Sequence, residues 1–345
     1  MKKIIQILFI LFAINANAQS APAYYNPVDL TLRNEALKNE LAAHINNTHH
    51  TAVDYSLVWE ILQQTDLVPD DNQNVYLIYG WDNTNQEDDD DLWRNKYATC
   101  GNGNPCTDET WNREHVFPKA LDQSNSNDSG PTADPHMLRA SDVEMNGLRA
   151  NREFAAGSGT PSYITNNGDF FPGDRWKGDV ARIIMYMYVH YGEQWNPNFV
   201  GQGNNSFHAD MPDIFLQWNA EDPVSQYEIN RNNIIETYQG NRNPFIDNPY
   251  LATLIWNGPS AENTWPDTLS TNEVTSGQIQ IYPNPTQDLI HIAGASNNAQ
   301  IKIFNVAGQE IQVHDKRKIQ LPQKGIYIIN ISEHGKNYQF KVIKK

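Results

Sequence analysis

Apolar residues recur along this chain at two spacings, helical in the first part and alternating in the last. The change from one spacing to the other divides the chain into two parts. In the first part they follow helical spacing in segments that run from Leu30 to Asn46, from Val53 to Gln64, from Gly178 to Tyr188 and near Pro223 to Thr237. A short β-rich run from Val75 to Tyr79 ends at Gly80 and is expected to enter a core sheet. The pattern predicts an α+β unit with a mainly helical scaffold over residues 19–258.

Beyond residue 276 the apolar positions alternate with polar ones in short segments separated by turn signals. The segments are Ile279 to Tyr282, Leu289 to Ile292, Ile301 to Val306, Gly325 to Ile331 and Tyr338 to Ile343. Alternation with period two is typical of half-buried strands, so residues 277–345 are predicted to form a small β-sandwich. Residues 259–276, rich in Pro, Ser, Thr and Asn, are predicted to be a linker.

The N-terminal end has the pattern of a secretory signal peptide. Two lysines precede an apolar run from Ile4 to Ile14, and Ala16-Asn17-Ala18 follows. The run is too short to span a bilayer, which needs about 20 residues. We therefore expect residues 1–18 to be removed on export, a mature chain without stable membrane insertion, and an extracellular or cell-surface location.

Two polar clusters carry the candidate chemistry. In the first, Glu114 and His115 stand side by side between Arg113 and a Phe-Pro-Lys segment. The second runs from Asp134 to Phe154, and its Ser141-x-x-Glu144 pattern predicts a capping box at a helix start. On that helix, residues three and four apart lie close together, so the clusters bring carboxylate, imidazole, amide and guanidinium groups to one place.

These residue types suit metal-assisted hydrolysis of a phosphodiester. Magnesium keeps most of its waters and takes one or two protein oxygens. A histidine that titrates near neutral pH can accept the proton of an attacking water, and arginines can hold the charge that grows on a phosphoryl group.

The strings NREHVFPK, DPHMLRASDVEMNGLRANREF and KGDVARIIMYM resemble the bacterial endonuclease I family of secreted, non-specific nucleases with a ββα-metal (His-Me finger) site. The resemblance implies that His115 is the general base, that Glu114 and Asn146 hold Mg²⁺, or Mn²⁺ or Ca²⁺ in its place, and that cleavage leaves a 5′-phosphate. Some members place an arginine between the two motifs, but here none lies between His115 and Arg139. Arg139 or a helix arginine is expected to take the transition-state role, and of these we name Arg149 as the catalytic candidate.

Further site residues are predicted around this centre. The expected substrate contacts are Arg113, Arg139, Arg152, His136 and Lys177. For His136 three roles stay open: a partner of a metal ligand, a substrate contact, or a buried hydrogen-bonded histidine. Cys100 and Cys106 are the only cysteines, and in an exported chain they are expected to form a disulfide.

Two groups of residues resemble metal ligands, but their spacing favours solvated surface positions. His44, His49 and His50 lack zinc-like spacing and are expected to be solvated surface histidines. The acidic run from Glu87 to Asp91 lacks the spaced oxygens and turn glycine of a calcium loop, and is expected to be a solvated loop.

Composition qualifies the choice of partner. The formal charge of −16 is unlike that of a nucleic-acid binder, but residues 19–110 hold 4 basic against 16 acidic residues and residues 111–190 hold 8 against 10. The site region is thus near neutral, and we expect weak, salt-sensitive binding of DNA and also RNA. A ribonuclease of the same family and an inactive surface-binding protein are the alternatives. The sequence does not determine the oligomeric state.

The C-terminal strings IYPNPTQDLIHI, IKIFNVAGQEI and GIYIINI resemble the sorting domain of type IX secretion. The resemblance implies that the type IX machinery is a partner, that the protein crosses the outer membrane, and that this domain is removed afterwards.

Overall fold

The computed structural model describes residues 20–345 except 123–128, 270–279, 288, 294–298, 307, 312–317 and 334–335. These residues form two compact units, one on each side of the Leu269–Ser270 boundary. The predicted signal peptide lies outside the described residues, as do residues 270–276 of the predicted linker. Within the described part of the chain, no helix is long and apolar enough to cross a membrane.

The first unit combines helices with short strands, as the sequence predicts. Its helices are α1 (Asn34–Thr48), α2 (Val58–Thr65), α3 (Val143–Arg149), α4 (Lys177–Tyr191), α5 (Asp213–Glu221), α6 (Gln226–Gln239), α7 (Pro244–Asp247), α8 (Tyr250–Trp256) and α9 (Pro266–Leu269). Its strands are β1 (Asn74–Tyr76), β2 (Trp93–Asn95), β3 (Trp111–His115), β4 (Leu138–Asp142), β5 (Tyr163–Ile164) and β6 (Phe170–Phe171).

The core of the first unit is organised around α4. Every residue of this helix from Gly178 to His190 is buried. A helix that is apolar on all sides is stable only when other elements surround it, and here α1, α5 and α7 pack against it. The helix thus serves as scaffold.

Strands β3 and β4 form an antiparallel pair that leads directly into α3. The register places Glu114 opposite Arg139 and His115 opposite Leu138. The predicted run from Val75 to Tyr79 enters the core beside this pair, because the amide of Ile78 donates to the carbonyl of Ala140 (2.8 Å). The observed order is therefore strand, strand, helix, with a third segment packed along β4.

The start of α3 differs by one residue from the prediction. Asp142 is the N-cap, and its Oδ1 accepts hydrogen bonds from the amides of Glu144 (2.6 Å) and Met145 (2.9 Å). Ser141 still belongs to β4, and its hydroxyl bonds a neighbouring carbonyl instead. The capping box predicted at Ser141 is therefore wrong, because the strand continues one residue further and the aspartate takes the capping position.

Residues 259–269, the first part of the predicted linker, pack on the first unit. Trp265 is 1% exposed, and its ring lies 4.7 Å from that of Tyr25. The hydroxyl of Thr268 accepts a hydrogen bond from the amide of Ala21 (2.9 Å). A large aromatic residue in this segment gives it apolar surface to bury, which composition alone did not reveal.

The second unit consists of strands in two small sheets. One has the order β11-β8-β7 and the other β10-β9-β12-β13. The bounds are β7 (Gln280–Tyr282), β8 (Leu289–Ala293), β9 (Gln300–Asn305), β10 (Glu310–Ile311), β11 (Lys318–Gln320), β12 (Gly325–Glu333) and β13 (Lys336–Lys344). The alternation read from the sequence is confirmed in β12, where Tyr327, Ile329 and Ile331 are buried. Both sheets contribute to one hydrophobic cluster.

Candidate active site

Glu114 is a buried carboxylate at the end of β3. It is 2% exposed, because alternate residues of a strand face opposite sides and this one faces the core. Its Oε1 accepts a hydrogen bond from the hydroxyl of Tyr79 (2.9 Å) and lies 3.5 Å from Nη1 of Arg149. The backbone amide of His115 also stabilises the ionised carboxylate. No side chain among the described residues donates to Oε2, so this oxygen can serve as a ligand.

Burial raises the pKa of Glu114 to about 7, and the nearby Arg149 and the Tyr79 hydroxyl offset only part of this effect. At neutral pH the carboxyl group is therefore only partly ionised. A divalent cation beside Oε2 would favour the ionised form, because it places positive charge next to the oxygen. This residue is consequently well suited to hold a metal ion and poorly stabilised without one.

His115, the next residue, is held as a neutral base. Its Nε2 lies 3.0 Å from the carbonyl oxygen of Thr132. A carbonyl can only accept, so Nε2 carries the hydrogen and Nδ1 keeps its lone pair. The ring stacks on that of Tyr55 with a centroid distance of 5.4 Å. Burial lowers the pKa of His115 to about 4, so the imidazole is neutral at physiological pH.

Asn146 presents an amide oxygen from α3. Its Nδ2 donates to Oδ1 of Asn112 (2.7 Å) and approaches the backbone carbonyl of Arg113 (3.4 Å). Because that carbonyl only accepts, the amide nitrogen makes both contacts and Oδ1 takes part in neither. Oδ1 has no hydrogen-bond partner among the described residues, so it can serve as a ligand.

Arg149 lies beneath the Glu114–His115 pair. It is 0% exposed, and its guanidinium donates to the carbonyls of His115 (3.2 Å) and Val116 (2.7 Å). These bonds fix the end of β3, and the charge lies close to Glu114. In this position Arg149 supports Glu114 and His115 and does not reach the surface, so its geometry does not favour a direct contact with substrate.

Two other predicted site residues are buried in structural networks. Arg139, 1% exposed, donates to Asp179 (2.8 Å) and to the Tyr227 hydroxyl (2.8 Å). His136, 2% exposed, packs against Tyr186 with its Nε2 3.4 Å from the carbonyl of Asn241. Their predicted substrate contacts are thus not supported, because neither side chain has a surface from which to reach a ligand. For His136 the structure favours the third role, a buried hydrogen-bonded histidine.

The remaining predicted contacts lie nearer the surface. Arg113 is half-buried, with its guanidinium 3.5 Å from the ring centre of Tyr55 and 4.2 Å from that of Trp59, and it lines a surface cavity of about 400 Å³. Arg152 donates to the carbonyl of Leu148 (2.5 Å). Lys177 forms ion pairs with Asp174 (3.2 Å) and Glu221 (2.9 Å), which already neutralise it.

The predicted disulfide between Cys100 and Cys106 is confirmed. The amide of Cys100 donates to the carbonyl of Trp111 (2.6 Å), the first residue of β3. Asn102, within the closed loop, lines the same cavity as Arg113. The disulfide therefore holds a loop beside the strand that carries the candidate ligand and base.

Sequence reasoning missed the residues that orient this pair. Tyr79 was recognised only as part of a core strand, although a tyrosine at the end of a buried strand needs a partner for its hydroxyl. Tyr55 lies in a short turn of 3-10 helix, and Thr132 acts through its backbone carbonyl. A backbone acceptor leaves no signal in a sequence.

Comparisons with known proteins show what this chain is similar to. A family model described as Endonuclease I matches residues 33–250, and one described as a secretion system C-terminal sorting domain matches residues 280–345. An extracellular ribonuclease of Bacillus subtilis (strain 168) is 38% identical over 235 residues, covering 64% of this chain and 74% of the relative. An extracellular ribonuclease of Bacillus amyloliquefaciens is 37% identical over 234 residues, with the same coverage. A periplasmic deoxyribonuclease of Aeromonas hydrophila is 32% identical over 123 residues, covering 33% of this chain and 47% of the relative.

Proposed function

Since the chain belongs to the endonuclease I family and carries a secretion-system sorting domain, we propose that it is a secreted, divalent-metal-dependent endonuclease. Its substrates are DNA and RNA, which it cleaves without sequence preference to leave 5′-phosphate ends. The observation that carries the proposal is that β3 ends in Glu114 and His115 and pairs with β4, which leads directly into α3 with Asn146. The side chain of Asn146 is bonded to β3 through Asn112. The ββα segment is then a His-Me finger.

The residues present fit a magnesium ion. Among the described residues no side chain donates to Glu114 Oε2 and no group donates to Asn146 Oδ1. The Glu114 carboxyl group also has a raised pKa that a cation would lower. Two protein oxygens with water completing the shell are the arrangement that Mg²⁺ prefers. When bound, the ion supplies positive charge next to the scissile phosphate.

His115 performs the proton transfer in this proposal. Nδ1 accepts a proton from a water molecule while the water oxygen forms a bond to phosphorus. The bond from phosphorus to the 3′-oxygen breaks, and the 3′-oxygen gains a proton from solvent. The hydrogen bond to Thr132 keeps Nδ1 free for this role, and the low pKa keeps it unprotonated.

No step uses a 2′-hydroxyl, so both nucleic acids are expected to be substrates. The names of the relatives agree with this, since the Bacillus proteins are ribonucleases and the Aeromonas protein is a deoxyribonuclease. RNA methylated at every 2′-oxygen should also be cut, because water is the nucleophile. A 2′,3′-cyclic phosphate product would contradict this mechanism.

The test is cleavage of supercoiled plasmid and of RNA by the purified protein with Mg²⁺, with Mn²⁺ or Ca²⁺ in its place, and with EDTA. His115→Ala should lose activity by about 10²–10⁴-fold, the usual contribution of a general base, while DNA binding persists. His50→Ala, which removes an exposed histidine, is the matched control and should keep full activity. Metal-independent cleavage would contradict the metal-dependent mechanism. No cleavage of either substrate would leave a surface-binding protein as the better account.

The C-terminal unit is proposed to be a β-sandwich that the type IX secretion machinery recognises. The two sheets share one hydrophobic cluster, which supports face-to-face packing. Together with a signal peptide over residues 1–18, it would direct the enzyme first into the periplasm and then outside. Deletion of residues 280–345 should leave active enzyme in the periplasm of the native host, whereas export without this unit would contradict the assignment.

A further inference from the structure

A second cluster of potential ligands lies in the first unit, outside the set assigned above. His49 ends α1, Asp134 precedes β4, and His190 lies in the last turn of α4. One ligand atom of each lies within 4.8 Å of the others. His49 is thus not a solvated surface histidine as the sequence suggested, because its Nδ1 is 2.9 Å from Nε2 of the buried His190.

Asp134 places a buried carboxylate in this cluster. It is 2% exposed and forms no ion pair with lysine or arginine among the described residues. Oδ2 accepts from the hydroxyls of Tyr186 (2.7 Å) and Tyr191 (2.9 Å). Oδ1 accepts from the amide of His136 (2.8 Å) and from Gln239 (3.1 Å). Neutral donors therefore fix its orientation but leave its charge without a fixed cation.

The two histidines offer nitrogen ligands in the neutral form. His190 is 7% exposed, and its Nδ1 is buried without a hydrogen-bond partner. Burial lowers the pKa of His190 to about 4. The contact between His49 Nδ1 and His190 Nε2 therefore holds one proton between two lone pairs. A cation between these nitrogens would use both lone pairs, and the displaced proton would move to the other nitrogen of the ring that carried it.

We propose that His49, Asp134 and His190 form a binding site for a divalent transition metal of the zinc class. Two imidazoles and one carboxylate make a ligand set that Zn²⁺ accepts, whereas Mg²⁺ and Ca²⁺ prefer oxygen alone. The hydrogen bonds to Asp134 are the outer partners that usually orient a ligating carboxylate. This site differs in chemistry from the all-oxygen pair Glu114 and Asn146.

Binding requires a small rearrangement of the cluster. Zinc bonds are about 2.0–2.2 Å long, so ligand atoms near the 4.8 Å limit must draw closer, whereas His49 Nδ1 and His190 Nε2, at 2.9 Å, must move slightly apart. His49 is half-buried at a helix end, so it can move inward most easily, and one tyrosine hydroxyl would leave Oδ2 to make room. The site lies near the base, because Thr132, two residues before Asp134, accepts the hydrogen bond that orients His115.

The test uses the full-length protein, stripped with chelator, and Zn²⁺ or Co²⁺ alone. One equivalent of metal should bind tightly in a calorimetric titration, and Co²⁺ should give the visible absorption of a tetrahedral site. Zn²⁺ should also raise the melting temperature, because a ligand that binds only the folded state stabilises it. His49→Gln should weaken zinc binding by at least roughly tenfold. Loss of a residue that only orients a ligand already costs about that much, and loss of the ligand itself should cost more. His190→Gln should do the same.

Two controls make the result specific. His50→Gln changes the adjacent exposed histidine and should leave zinc binding intact. Glu114→Gln should also leave it intact, so failure of this proposal is distinguishable from failure of the proposed nuclease site. Absence of stoichiometric binding, or equal affinity in the wild type and His49→Gln, would overturn the proposal. His49→Gln keeps the test decisive if His190→Gln does not fold.

Discussion

Glu114 combines two properties that oppose each other, burial and negative charge. Tyr79 and Arg149 offset only part of the cost of burial, and the pKa of the carboxyl group rises to about 7. The folded state therefore binds a proton more tightly than the unfolded state, whose carboxyl group titrates near 4.5. Stability of the metal-free protein should fall as pH rises from about 4.5 to about 7, because over this range the unfolded state has lost its proton while the folded state still binds one.

We predict that Glu114→Gln raises the stability of the metal-free protein at pH 8 while it abolishes activity. Glutamine keeps an oxygen for Tyr79 and Arg149 but carries no charge. The gain in unfolding free energy should be at most roughly 3 kcal/mol, because the pKa of this carboxyl group rises from 4.5 to about 7 on folding. It should vanish below pH 4.5. Urea unfolding in EDTA at both pH values measures it. If Glu114→Gln were equally destabilising at pH 4 and pH 8, burial would not destabilise the charged carboxylate.

Arg94 connects several elements to the helix that carries Asn146. Its guanidinium donates to Asp142 (2.6 Å), the N-cap of α3, and to the carbonyl of Thr110 (2.8 Å) just before β3. It also bonds the carbonyl of Asp88 in the acidic loop. Both Arg94 and Asp142 are buried. One side chain thus holds the position of α3 relative to β3.

We predict that Arg94→Met destabilises the first unit by about 3–5 kcal/mol, because Asp142 keeps a buried charge without its partner. Asp142→Asn should be milder, since the asparagine oxygen can still cap α3. In the double variant the buried charge is gone. Its loss of unfolding free energy should therefore be smaller than the sum of the losses in the two single variants. Strict additivity, measured by thermal unfolding, would mean that the pair is not coupled.

The disulfide should act locally. Replacing both Cys100 and Cys106 by serine opens a short loop, for which the chain-entropy relation gives a loss of about 2 kcal/mol. We predict a lower melting temperature with cleavage retained at temperatures where the protein is folded, because neither sulfur belongs to the ligand or base set. A metal affinity reduced more than about tenfold would show instead that the loop positions Glu114.

Around Glu114, His115 and Asn146 the local pattern predicted the helix, because its start signal and its residues are contiguous in sequence. The two strands before it were implied only by the resemblance to ββα-metal nucleases. Local patterns failed where a partner comes from far along the chain. Arg139 could face solvent or a buried acid, and the choice depends on Asp179, 40 residues away. His49 likewise meets His190 across 141 residues. The sequence pattern of one segment does not show which charged or aromatic residue of a distant segment will contact it.

The whole molecule contains two units, each with its own hydrophobic cluster. Each can therefore fold on its own apolar burial. The acidic excess is concentrated outside the site region, so nucleic acid is expected to bind over a small near-neutral surface aided by bound metal.

We predict that a variant ending at Leu269 keeps the activity and the melting transition of the first unit. The reason is that none of the candidate ligands, bases or supporting residues lies beyond this position. Plasmid cleavage and calorimetry on the truncated and full-length proteins measure both quantities. A variant ending at Gly258 is the informative control, because it lacks Trp265 and Thr268 and should be less stable. Equal stability of the two truncations would contradict the packing of residues 259–269.

The contacts between the two ends of the first unit determine when this unit can fold. Ala21 bonds Thr268 across 247 residues, and Tyr25 contacts both Trp265 and Asp247. A chain that emerges from a translocation channel N-terminus first cannot make these contacts until its last segment has crossed. Bringing such distant residues together also costs loop-closure entropy that local contacts do not repay. The unit is therefore expected to stay incompletely folded during passage and to close only when export of its final segment is complete, which keeps a nuclease inactive until it has left the compartment that holds the genome.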